Sequence, residues 1–166
     1  MSTRDRNPVG MGRIFGSLAL AVLLEQMPWS GWALALRPDF VLVALLFWAL
    51  YQPLRVGFGV AFALGLIADF QDGVAFGQYA TAYVIGVYLV QFLRLRLLQF
   101  DPLRQAAQVF PILLAVQVVV LLVGWLAINP PGGLEILLVG PSSVVLWFLV
   151  AGFLRLWHGK SLRDTT

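Results

Sequence analysis

The chain has no cysteine, a single histidine and few charges, with Asp, Glu, Lys and Arg making up 11% of its 166 residues. Without cysteine there is no disulfide, no thiolate nucleophile and no cysteine-based zinc site. His158 lies beyond the last apolar run, beside Trp157 and Lys160 and away from other ligands, so it reads as a surface residue rather than a metal centre. The shortage of charge excludes more. Soluble domains average about 25% charged residues, and this chain lacks the polar surface to cover a globule in water. Phosphate-loop chemistry is also absent, because Gly57-Phe58-Gly59 follows no strand and precedes no Gly-Lys-Ser/Thr.

What replaces the missing charge is apolar sequence: 60% of residues are hydrophobic and the mean hydropathy is +0.87. A bilayer core of about 30 Å asks for about 20 helical residues. Residues 73–93, 107–128 and 134–154 meet that length, and 13–28 falls slightly short. Between Pro38 and Asp72 lie two shorter runs, broken at Gln52-Pro53-Leu54-Arg55. A hairpin or re-entrant loop is the simpler reading of that region, but Arg55 puts its turn among the other basic segments and argues for two crossings. The expected fold is an all-α membrane bundle of six transmembrane helices with two short central ones. It has a single domain over 13–157 between cytoplasmic tails 1–12 and 158–166. Pro38 is placed in the first turn of the second helix, and Asp101-Pro102 as cap and first residue of the fifth. Arg4, Arg6 and Arg13 before the run at 14–24 imitate a secretory signal, yet the apolar character of the rest makes an uncleaved first span the better reading.

The charges sort by side. Ten of the eleven basic residues (Arg4, Arg6, Arg13, Arg55, Arg94, Arg96, Arg104, Arg155, Lys160 and Arg163) fall on the cytoplasmic side of that threading, and only Arg37 falls outside. Glu25, Asp39, Asp69, Asp72 and Glu135 lie at or near the opposite face. Retention of Lys and Arg in the cytoplasm sets membrane topology. It also accounts for the computed pI of about 9.8 without nucleic acid, since the basic residues are scattered over short segments. Aromatic residues agree: Trp29, Trp32 and Trp125 sit near the outer face and Trp48, Tyr51 and Trp157 near the inner one, with Trp147 deeper as a packing residue.

Within the spans, Gly57, Ala61 and Gly65 recur every four residues, and Asp69 continues the stripe. Small residues let helix backbones approach closely in lipid. The neighbour is either another helix of this chain or a partner's helix, and the spacing does not separate the two. Arg37, Pro38, Asp39, Asp69 and Asp72, with Glu25, gather at the mouths of the short helices, where intramembrane charge marks either a structural lattice or a ligand or transport site. The expected pairing is Arg37 with Asp39 or Asp69. Asp69 and Asp72 have the spacing of a carboxylate pair, but the turn at Gln71-Asp72-Gly73 ends the helix and no nucleophile accompanies them. Gln78, Tyr79, Gln117 and Ser142-Ser143 either line a small cavity or bond between helices, and Pro141 is expected to kink the last helix. No cofactor motif is present.

Arg37-Pro38-Asp39 opening a short apolar helix, the turn Pro53-Leu54-Arg55, Gly65-x-x-x-Asp69 and Gly77 after an acidic turn occur in an order that resembles the rod-shape-determining MreD family, over about residues 11–157. That resemblance implies a protein without catalytic activity in the bacterial machinery that inserts side-wall peptidoglycan. It implies association with MreC, and through it with the MreB filament, the RodA glycosyltransferase and an elongation transpeptidase. It also implies a fold like the six-helix substrate-binding components of energy-coupling-factor transporters. Arg37, Pro38, Asp39, Gly65 and Asp69 are the family-type residues by motif position. Partner contact then falls to helix faces or to the basic loop of Arg94, Arg96 and Arg104. The competing reading is a vitamin- or metabolite-binding transporter component, which requires a true cavity near Arg37, Asp39, Asp69, Gln78 and Tyr79.

Overall fold

A computed structural model describes residues 10–28, 30, 37–127 and 139–157. Arg4, Arg6, Trp29, Trp32, Glu135, His158, Lys160 and Arg163 lie outside the described residues. All regular structure among the described residues is helical: α1 (Met11–Glu25), α2 (Phe40–Tyr51), α3 (Phe58–Asp72), α4 (Gln78–Phe92), α5 (Arg94–Leu97), α6 (Pro102–Leu126) and α7 (Val139–Trp157). Among the described residues, one helix, spanning 104–126, is long and apolar enough to cross a bilayer unaided, while 40–51 and 141–150 are shorter apolar helices.

Helix α2 is the centre of the bundle. It has 12 residues, and positions 41–43 and 45–50 are all buried. A helix apolar on every side has no solvent face to present and is stable only when enclosed. Here α1, α4 and α7 enclose it. At 1.5 Å per residue it is about 18 Å long, so both its ends lie inside the protein and their orphan backbone groups need partners. At the start, the Asp39 carboxylate accepts the Leu42 N–H at 2.7 Å, and the Asp39 N–H donates to the Ser143 hydroxyl at 3.0 Å. At the finish, Arg94 Nε donates to the Leu50 carbonyl at 2.8 Å, a cation on the negative end of the helix dipole. Buried Gln105 adds a second tie, donating to the Leu97 carbonyl at 3.1 Å and accepting from the Tyr51 hydroxyl at 3.4 Å.

Several expectations are corrected. Pro38 precedes the helix instead of opening it, because Asp39 captures the third helical N–H and becomes the cap. The fourth helix begins at Gln78 and not at Gly73. Gly73 (φ 63°) ends α3 in the left-handed region and Gly77 (φ 95°) precedes α4 in the same region, a conformation only glycine adopts cheaply. Pro141, expected to kink the last helix, falls in the first described turn of α7. Trp48 is core and not interfacial: it is buried and its indole donates to Ser17 Oγ at 2.7 Å. Asp101 takes the position before α6 and Pro102 opens that helix, but the Asp101 side chain makes no capping hydrogen bond. Trp147 is fully buried.

Because Arg94 is committed to the Leu50 carbonyl whereas Arg96 is exposed, the two arginines should respond differently to truncation. Arg94→Ala is expected to cost about 1.5–3 kcal/mol, the range for a hydrogen bond to a charged group. Arg96→Ala should stay within about 0.5 kcal/mol. Denaturant unfolding of the purified chain compares them, and equal losses would remove the capping role.

Candidate functional site

At the end of the bundle where α1 and α3 finish and α2, α4 and α7 begin, a recess of about 90 Å³ is lined by Glu25, Arg37, Asp39, Gln71, Asp72, Tyr79, Tyr83 and Gln117, with Ala68 and Val139 as its apolar wall. Its polarity has a structural origin. Two short helices place their ends below the level that longer helices would reach, and those ends recruit charged side chains to satisfy backbone groups.

Arg37 bridges two elements. Its Nη1 donates to the Glu25 carbonyl at 3.1 Å, at the end of α1, and its Nη2 lies 3.5 Å from Asp72 Oδ1, at the end of α3. The pairing expected with Asp39 or Asp69 is therefore replaced by one with Asp72, since both other carboxylates are already engaged. Asp39, buried, accepts from Leu42 and from the Tyr83 hydroxyl, which stands 2.9 and 3.0 Å from its two oxygens. Asp69, only 1% exposed, accepts the N–H groups of Gly77 at 2.8 Å and Tyr79 at 2.6 Å. It is a brace for the start of α4 and does not line the recess. Of the acids singled out in the sequence, the structure brings Glu25, Asp39 and Asp72 together and sets Asp69 apart behind them.

The small-residue stripe meets α4. A Cβ placed on Gly65 would stand 2.3 Å from the Ala80 Cα, and Ala61 is buried on the same side. Gly57 is not part of that contact; it is the residue before α3, with only the Pro53 carbonyl near its missing Cβ, at 3.9 Å. Gln78 bonds between helices, donating to the Val120 carbonyl at 3.1 Å, while Tyr79 and Gln117 line the recess. Tyr83 and Gln105 were not anticipated. Tyr83 follows Tyr79 by one helical turn and so shares its face, which was the available signal. Gln105 offered none beyond a polar side chain in an apolar run.

The arrangement holds charge and binds hydrogen-bonding groups. No three described acids, histidines or cysteines are grouped to hold a metal. A volume of about 90 Å³ accommodates about three water-sized units, well below the 300–1,000 Å³ or so of pockets for metabolite-sized ligands.

Comparison with known proteins is informative at the level of family. A family profile described as rod shape-determining protein MreD matches residues 9–157. The chain is 31% identical over 77 residues to the rod shape-determining protein MreD of Haemophilus influenzae, a match covering 46% of this chain and 48% of that protein. It thus spans about half the length of the curated relative it matches. No solved structure matches, and the likeness to energy-coupling-factor components rests on the family resemblance alone.

Proposed function

The chain belongs to the MreD family of rod shape-determining proteins, and from that premise we propose that it is a non-enzymatic, multi-pass scaffold of the bacterial side-wall elongation complex. In this reading MreC is the direct partner, and MreB, RodA and an elongation transpeptidase are reached through it. The protein resides in the cytoplasmic membrane with both termini inside and six crossings. The recess end faces outward and the Arg55 turn faces the cytoplasm.

The observation that carries the scaffold reading is the fit between family membership and a recess of about 90 Å³. That volume is smaller than is usual for pockets that hold a vitamin or metabolite, which disfavours the transporter reading. The polar groups of the short helices are spent on helix ends, as in a rigid platform, and large apolar side chains face outward on α1, α3, α6 and α7, among them Leu20, Phe62, Leu122 and Phe148. Such faces suit lipid and partner helices alike. With Arg94 occupied, Arg96 and Arg104 are the arginines of the basic loop that remain exposed for a cytoplasmic contact.

The cysteine-free chain makes topology directly testable. Leu54→Cys is placed at a fully exposed turn and Phe76→Cys at the opposite end, where Phe76 is largely exposed. A membrane-impermeant maleimide applied to intact cells should label the second and not the first. A tagged full-length chain purified from the same cells should retain MreC. Reversed labelling would overturn the threading, and a stable chain recovered without MreC would overturn the scaffold role.

A further inference from the structure

The recess has more acid than base and more polar groups than partners. Glu25, Asp39 and Asp72 face one guanidinium, and Arg37 is already engaged by Asp72 and the Glu25 carbonyl. Glu25 Oε2 is buried and accepts no hydrogen bond, and Gln71 Nε2 is buried and donates none. Gln117 is 2% exposed and lines the recess. Buried polar groups without partners are uncommon and call for an occupant. These require two kinds of complement, a donor for Glu25 and an acceptor for Gln71.

We propose that this recess takes the headgroup of an aminolipid, with the primary ammonium seated among Glu25, Asp39 and Gln117 and the phosphodiester toward Gln71. An ammonium offers three N–H donors on a compact charge. An ammonium with two methylenes amounts to three heavy atoms, which matches about three water-sized units in about 90 Å³. The headgroup also carries phosphate oxygens, the acceptor that Gln71 lacks. A lysine side chain has no such acceptor and leaves Gln71 unsatisfied. The acids are not gathered into a metal-holding group, so the surplus of carboxyl groups suits an organic ammonium donor. Phe70, next in sequence to Gln71, and Phe76, in the turn before α4, are 78% and 79% exposed and offer apolar surface to acyl chains. The inference rests on the proposed membrane placement, with this end at headgroup depth, and not on the identity of any protein partner.

The test uses the purified full-length chain in nanodiscs, with phosphatidylglycerol mixed with phosphatidylethanolamine or with its N-methyl, N,N-dimethyl and phosphatidylcholine counterparts. Thermal stability should fall stepwise as N–H donors are replaced by methyl groups. Native mass spectrometry should retain one phosphatidylethanolamine in preference to phosphatidylcholine. Glu25→Gln and Gln117→Leu should each reduce that preference by about tenfold, the loss expected for one hydrogen bond to a charged group, with helix content by circular dichroism unchanged. Equal stability across the methylation series would overturn the proposal without recourse to any variant, as would a preference that both variants leave intact. Neither result bears on MreC retention, so the scaffold reading stands or falls separately. A chain that cannot be reconstituted at all removes the membrane placement and this inference with it.

Discussion

Gly65→Ala is expected to destabilise the protein by about 2–3 kcal/mol or more, although glycine to alanine inside a helix ordinarily stabilises by about 0.5–1 kcal/mol. The reversal of sign comes from what the added methyl meets. A Cβ at Gly65 would stand 2.3 Å from the Cα and 2.6 Å from the N of Ala80, and 2.9 Å from the carbonyl carbon of Tyr79. All three are backbone atoms, so no rotamer change relieves the clash. Helix α4 must move away from α3, and its first turn is the part least free to do so, because Asp69 holds the Gly77 and Tyr79 N–H groups. Gly59 on the same helix has nothing within 4 Å of its missing Cβ. Gly59→Ala should therefore leave stability unchanged or raise it by up to about 1 kcal/mol. Thermal unfolding of the two variants in the same detergent gives the comparison. Similar shifts of the same sign would mean that α3 and α4 are not packed backbone to backbone at this point.

That contact was partly legible in the sequence. Glycine and alanine at a four-residue spacing specify a close helix pair, but they do not say which helix comes close. The structure supplies α4, and it trims the stripe to Ala61 and Gly65 by using Gly57 as a helix start. The gathering of charge at the helix mouths was legible for the same kind of reason, since short apolar runs flanked by acids leave those acids at a common depth. Their pairing was not. Which carboxylate takes Arg37 depends on which ones the backbone has already claimed, and those claims follow from turn geometry. Asp69 is unavailable because Gly73 and Gly77 adopt left-handed conformations that fold the chain back across it. A hydropathy pattern carries no record of such a turn, which is why the sequence ran the fourth helix through 73–77. The partners of Tyr83 and Gln105 were hidden for a related reason. In a helix apolar on all sides, as α2 is, no polar stripe marks the inward face, and a buried hydroxyl or amide reveals its partner only when the neighbouring helix end is in place.

The separation of roles among the acids leads to the second large effect. Asp69→Ala should cost about 3–5 kcal/mol, because it strands two N–H donors in a site where water does not replace the carboxylate. Hydrogen bonds to a charged group contribute about 1.5–3 kcal/mol each, and Asp69 is only 1% exposed. Asp69→Asn should fall between this variant and the wild type, since one amide oxygen still accepts while the amide NH₂ faces a donor. Asp72→Ala removes an ion pair whose nitrogen and oxygen are 3.5 Å apart and whose acidic side chain is 32% exposed. Exposed pairs of that kind contribute about 0–1 kcal/mol, so this variant should unfold close to the wild type. The consequences for the recess also differ. Loss of the Asp69 brace frees the first turn of α4, which carries Tyr79 and leads to Tyr83, so two of the eight polar lining residues go with it. Loss of Asp72 releases Arg37 but leaves α4 where it is. Urea unfolding of the three variants reads the ranking directly. If Asp72→Ala proves as costly as Asp69→Ala, the ion pair and not the buried carboxylate is what fixes the ends of the short helices, and the recess is held together from its open side.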